Sequence, residues 1–216
     1  MGNLTFRGGV HPFEGKALSE NAPLTEYLPK GELAFLINQH IGKPAIPVVE
    51  KGNHVLAGQL IARADGFVSA NIVSSVSGTV KDIRKIATAT GAKAVAIIIE
   101  NDGEYQLAEG IGEKVDTAKL SNKEILDKIA AAGIVGLGGA GFPTHVKLMP
   151  KNPDDIKYVI VNGAECEPYI TCDDQLMRTY PDEIVMGLQL MVGLFPNAVG
   201  VIIIEDNKPA AIEAIK

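Results

Sequence analysis

Two short stretches of this chain carry residue types that can hold a ligand. The first is GIVGLGGAGFPTHVKL, residues 133–148, with five glycines and a lysine near its end. Consecutive glycines let a ligand approach bare backbone N–H groups, and such groups suit an anionic phosphate. Lys147, six residues after Gly141, adds a point charge. Gly136, Gly138 and Gly141 meet the G-x-G-x-x-G spacing. That fingerprint belongs after a strand and at the opening of a helix, however, and here a helical segment comes first. The Gly-Lys-Ser/Thr of a P-loop is absent. On spacing alone the stretch is either a nucleotide loop or a plain turn.

The second stretch is VNGAECEP, residues 161–168, directly after an apolar run. In open α/β sheets ligands collect at the carboxyl ends of strands. Asn162 offers donors and acceptors to a ring edge, and Glu165 and Glu167 can accept from N–H groups or ribose hydroxyls. Each glutamate by itself also reads as a solvated turn residue. Cys166 and Cys172 are the two cysteines, with five residues between them. Iron–sulfur clusters need four closely spaced thiolates. No cluster and no metal is expected within these residues.

The elements that must position these stretches fall into two patterns. Residues 1–30 contain Pro12, Pro23 and Pro29 and little periodicity, and read as an extended arm that packs on the rest. Residues 31–105 read as a small all-β module. A strand is expected over 32–40. Short Val/Ile/Leu runs then alternate with Gly-centred turns through 42–83, and an apolar strand follows over 94–102. Residues 106–216 read as α/β. A helix over 121–133 opens with the capping pair Ser121 and Glu124, carries Ile125, Leu126 and Ile129 on one face, and stops at Gly133. Buried strands are expected over 157–165 and 198–206, with a helix from Pro181 to Phe195 between them. A last helix opens at 207–216 with no returning strand behind it. The expectation is therefore a fragment, or a sheet completed by another polypeptide.

Bulk properties narrow the class. A net charge of −6 argues against nucleic acid as the main partner, since phosphate backbones want a basic face. The N-terminus shows no apolar run behind a basic segment, so no signal peptide is expected. Phe6 stands where a myristoylation motif prefers Ser or Thr. The longest apolar runs have strand length, too short to span a bilayer. A cytoplasmic α/β protein with a β module is the reading.

Residues 48–80 resemble the barrel-sandwich fold of biotinyl and lipoyl carrier domains, with turns at Gly52 and Gly58 and a later SSVSGTV. The stretch corresponding to the carrier hairpin tip, RADGFVSA, has no lysine. A docking or structural module is expected there, not a swinging arm.

GLGGAGFPTHVK followed by VNGAECEP resembles the flavin-binding core of the NADH-oxidising flavoprotein subunit of respiratory complex I. The likeness is closer to the C subunit of the Rnf complex, the bacterial ferredoxin:NAD+ oxidoreductase. FRGGVHP, QHIGKPAIPVV, DGFVSANIVSSVSGTV and ENDGEY extend it over nearly the whole chain. It implies a barrel-sandwich domain followed by an incomplete Rossmann-like domain over 106–216 that binds FMN and NAD(H). By correspondence Gly136, Gly138 and Gly139 line the flavin, Lys147 reaches flavin or nicotinamide nucleotide, and Asn162 and Glu165 contact FMN. Phe142 stacks on the NADH base or belongs to the core, and Glu167 holds NADH hydroxyls. Ala164 departs from the complex I pattern, which has Asp there, so one flavin contact of that family cannot be made by the same side chain here.

The implied chemistry is hydride transfer between nicotinamide and flavin, which the cofactors carry. No catalytic acid or base is expected. The 4Fe-4S clusters and the rest of the flavin pocket belong to later parts of such proteins, so the chain alone is expected to bind FMN weakly and to be inactive. Implied partners are the other subunits of an Rnf-type membrane complex and, indirectly, ferredoxin, with the protein peripheral on the inner face of the cell membrane and coupled to ion translocation. Two alternatives stand beside this: a soluble Rnf-C-like carrier to an amino-acid reductase or cobalamin enzyme, and a non-catalytic docking module.

Overall fold

The isoleucine run at 97–99 is the centre of the main sheet. Ile97 and Ile99 are fully buried and Ile98 nearly so, so this strand is covered on both faces. The computed structural model describes Val10 and residues 12–216; Phe6 and most of FRGGVHP lie outside the described residues. Two compact units result. One is Tyr27–Pro153; the other combines the described residues up to Glu26 with Asp154–Lys216.

The Tyr27–Pro153 unit holds two antiparallel sheets. Its strands are β1 (Glu32–Leu36), β2 (Ile46–Pro47), β3 (His54–Val55), β4 (Leu60–Arg63), β5 (Ile72–Val73), β6 (Gly78–Ala87) and β7 (Lys93–Asn101). One sheet runs β1-β7-β6-β3 and the other β2-β4-β5. Pro47 sits on the outer strand β2, where a missing N–H costs no ladder bond. Val55, Ile61, Val76, Val80, Ile97 and Ile99 form one core between the sheets. Each such side chain contributes about 1.5–3 kcal/mol by leaving water. This is the barrel-sandwich module, with RADGFVSA in the β4–β5 connection. The first expected strand is shorter than 32–40, because turns begin after Leu36.

Two helices complete this unit. α1 (Asn122–Ala131) has the full capping box, Ser121 accepting from the Glu124 N–H while Glu124 accepts from the Ser121 N–H. Ile125, Leu126 and Ile129 are its half-buried stripe. α2 (Thr144–Lys147) is a single turn behind the glycine loop.

In the other unit β8 (Tyr158–Asn162) pairs in parallel with β9 (Val199–Ile203). The helices are α3 (Cys172–Thr179), α4 (Pro181–Val192), with Pro181 in its first turn, and α5 (Pro209–Ile215). Leu188 and Val192 of α4 press on Gly200, so α4 covers one face of the sheet. The opposite face carries Tyr158, Ile160, Val199 and Ile203, all exposed. Neither α2 nor α3 is expected from the sequence pattern.

Candidate functional site

The glycine loop is pinched at its base. Val135 bridges Pro143 in antiparallel fashion. Gly136 N–H donates to the Phe142 carbonyl at 3.0 Å, and Thr144 N–H donates to the Ile134 carbonyl at 3.0 Å. Both ends are tied to the β module. Asn71 Nδ2 donates to the Ala131 carbonyl at 3.2 Å, and Ile41 N–H donates to the Gly141 carbonyl at 3.3 Å. Gly141 has φ +61°, and an added Cβ would stand 2.9 Å from the Gln39 carbonyl oxygen, so this position is closed to side chains.

The tip of the loop is different. A Cβ at Gly138 or Gly139 would meet nothing within 4 Å, and neither residue has positive φ. A side chain at either position would therefore meet neither a packed neighbour nor positive-φ strain, and the backbone surface there is open. Gly136 has only ordinary contacts. Leu137 beside them is 94% exposed. Phe142 is half-buried and Lys147 is exposed at the end of α2. His145, on the same turn, has a buried Nδ1 without a hydrogen-bond partner. Burial holds its imidazole below the usual value.

The acid turn is built from side chains. Asn162, exposed at the end of β8, accepts from the Ala164 N–H at 3.1 Å and so closes a local turn. Glu165 is 2% exposed. Its Oε1 accepts from the Asp173 N–H at 2.8 Å and its Oε2 from the Asp174 N–H at 3.4 Å. Glu165 thus caps α3 from seven residues upstream of Cys172, whereas Thr171, at the N-cap, makes no side-chain cap bond. Its own N–H donates to Glu205 Oε2 at 3.2 Å. Carboxylate oxygens have further lone pairs, so Glu165 keeps acceptor capacity for a ligand hydroxyl. A cavity of about 190 Å³ borders it, lined also by Lys16, Cys166, Pro168 and Glu205. Cys166 and Glu167 are exposed.

Glu165, Cys172 and Asp173 bring ligand atoms within 4.8 Å of one another. Burial, and then the neighbouring negative charges, raise both the Cys172 thiol and the Asp173 carboxyl above their ordinary values. With Glu165 already engaged by the α3 N–H groups, this cluster reads as a helix cap.

Gly136, Gly138, Gly139, Phe142 and Lys147 therefore share one unit, and Asn162, Glu165 and Glu167 share the other. Lys16 had no place among the sequence candidates. Its contact with residues far along the chain leaves no local signal.

Two family models match the chain. The RnfC barrel sandwich hybrid domain matches residues 4–104. The Nuo51 FMN-binding domain matches residues 129–216, spanning both loops. The C subunit of the proton-translocating ferredoxin:NAD(+) oxidoreductase complex of Clostridium ljungdahlii is 47% identical over 98% of this chain.

The chain carries the RnfC barrel sandwich hybrid domain followed by the Nuo51 FMN-binding domain.

The C subunit of the Na(+)-translocating ferredoxin:NAD(+) oxidoreductase complex of Acetobacterium woodii is 39% identical. The C subunit of an ion-translocating oxidoreductase complex of Haemophilus influenzae is 41% identical. Both alignments cover 98% of this chain. The chain spans 46%, 48% and 32% of these three RnfC relatives, so about half their length or less.

The residues present fit FMN. The open backbone at Gly138 and Gly139 suits a phosphate or a ring face, Lys147 is an exposed cation, and Asn162 and Glu165 keep polar capacity at the end of a strand.

Proposed function

We propose that this chain is the nucleotide-binding part of an electron-transfer subunit, in which NADH and FMN exchange electrons within a ferredoxin:NAD+ oxidoreductase complex. The observation that carries this is the open glycine tip at Gly138–Gly139, within residues matched by an FMN-binding family model. Bare amides there bind the flavin through backbone, with Gly136 at the loop base. Lys147 offsets phosphate charge. Asn162 donates and accepts at the flavin, Glu165 accepts there, and Glu167 holds ribose hydroxyls of NADH. Phe142 stacks on the nicotinamide nucleotide's base. When bound, FMN supplies hydride exchange with nicotinamide and single-electron transfer onward to the 4Fe-4S clusters of the longer protein. The protein's part is orientation and exclusion of water, so no side chain needs to act as acid or base.

Partners follow as proposals: the membrane subunits of an Rnf-type complex, NADH, and ferredoxin at one remove. Among the described residues no helix is long and apolar enough to cross a membrane. Attachment at the inner face of the cell membrane through other subunits is the matching arrangement. The test is NADH-dependent ferricyanide reduction by the full-length protein. Lys147→Ala and Glu167→Ala should each lower kcat/KM by about tenfold or more. Unchanged activity in both variants would overturn the site assignment.

A further inference from the structure

Lys16 is a buried cation that the mechanism above does not use. It is 9% exposed and sits in a 3₁₀ turn, Lys16–Leu18. Its Nζ donates to the Glu165 carbonyl at 2.7 Å and to the Ile170 carbonyl at 2.9 Å. Both contacts are to neutral carbonyl oxygens, so they bond the ammonium without cancelling its charge. Two of its three N–H donors are used in this way. The same side chain lines the cavity beside Glu165.

Its neighbours strap the same turn. The Tyr169 N–H donates to the Glu14 carbonyl at 2.6 Å, and Ser19 Oγ donates to the Tyr169 carbonyl at 3.3 Å. Gly15 has φ +63°, and an added Cβ would lie 2.2 Å from the Tyr169 ring. The segment around Glu14–Ser19 therefore closes over Glu165–Thr171, and Lys16 is the residue that reaches into its interior.

We propose that Lys16 is a positioning residue of the cofactor site. Its ammonium fixes the backbone on both sides of Glu167 and Pro168, and it places a positive charge beside a turn otherwise rich in carboxylates. A fixed positive charge favours the reduced, more negative form of a flavin. The proposal rests on the FMN reading above.

The experiment is FMN titration and flavin potentiometry on the full-length protein. Lys16→Met should weaken FMN binding by about tenfold or more, because small misplacements of positioning groups are costly. It should also shift the midpoint potential to a more negative value, while Lys16→Arg restores both in part. Wild-type affinity and potential in a folded Lys16→Met protein would overturn the proposal and leave the FMN reading standing. A wild-type protein that binds no FMN would overturn the reading and the proposal together. Should Lys16→Met not fold, Lys16→Gln serves, since it keeps an amide donor and loses the charge. A lower potential in that variant supports the proposal, and an unchanged potential overturns it.

Discussion

The two candidate loops are built in opposite ways. The glycine loop is held at its ends and bare at its tip, where no described residue lies within 4 Å of a Cβ added at Gly138 or Gly139. The acid turn is held from within, by a buried carboxylate bonded to two helix N–H groups and a buried ammonium bonded to two carbonyls. A site that presents backbone needs only its hinges fixed. A site that presents side chains needs a scaffold of bonded groups behind them. Ligand binding and stability should therefore separate in the first loop and stay joined in the second.

The largest effect is expected where they are joined. Glu165→Ala leaves two N–H groups at the start of α3, the buried one of Asp174 and the half-buried one of Asp173, without their acceptor. It should cost about 2–3 kcal/mol in urea unfolding. A loss below about 0.5 kcal/mol would mean that the acid turn is no more built-in than the glycine tip.

That asymmetry also explains what the sequence showed. The capping box at Ser121 and Glu124 was legible because both halves lie within one turn. The β module was legible from its turns and apolar runs, and so were β8, α4, β9 and α5. The helix α3 was not. Its own N-cap, Thr171, makes no cap bond, and the cap comes from Glu165 across a Pro-containing turn. The glycine loop's chemistry was visible as composition, but its division into a closed Gly141 and an open Gly138–Gly139 depends on Gln39, about a hundred residues upstream. Lys16 was invisible for the same reason: its partners are Glu165 and Ile170.

A smaller effect sharpens the contrast inside the glycine loop itself. Gly141→Ala places a Cβ against the Gln39 carbonyl at positive φ and should cost about 1–2 kcal/mol. Gly138→Ala and Gly139→Ala should change stability by less than about 0.5 kcal/mol, since each added methyl enters open space. Thermal unfolding of the three variants side by side measures the difference. Equal losses at all three would erase the distinction between hinge and tip.

The smallest effect concerns pH. Burial lowers the folded-state value of His145, whose ordinary value is about 6.5. Below that pH the unfolded chain takes up a proton that the folded chain resists, so the native state loses stability as pH falls. Above it this contribution is fully present. His145→Asn should flatten the fall in stability between neutral and mildly acidic pH, read from urea midpoints at successive pH values. An unchanged slope would show that His145 charges as easily in the folded protein as in the unfolded one.

If the bare tip of the glycine loop exists for a flavin, a methyl group placed there should harm binding and nothing else. FMN titration of the full-length protein carrying Gly138→Ala or Gly139→Ala reads this out. The expected result is a wild-type unfolding temperature with FMN affinity weakened by about tenfold or more, because the methyl occupies space that only a ligand uses. Wild-type FMN affinity in both variants would contradict a flavin role for the tip.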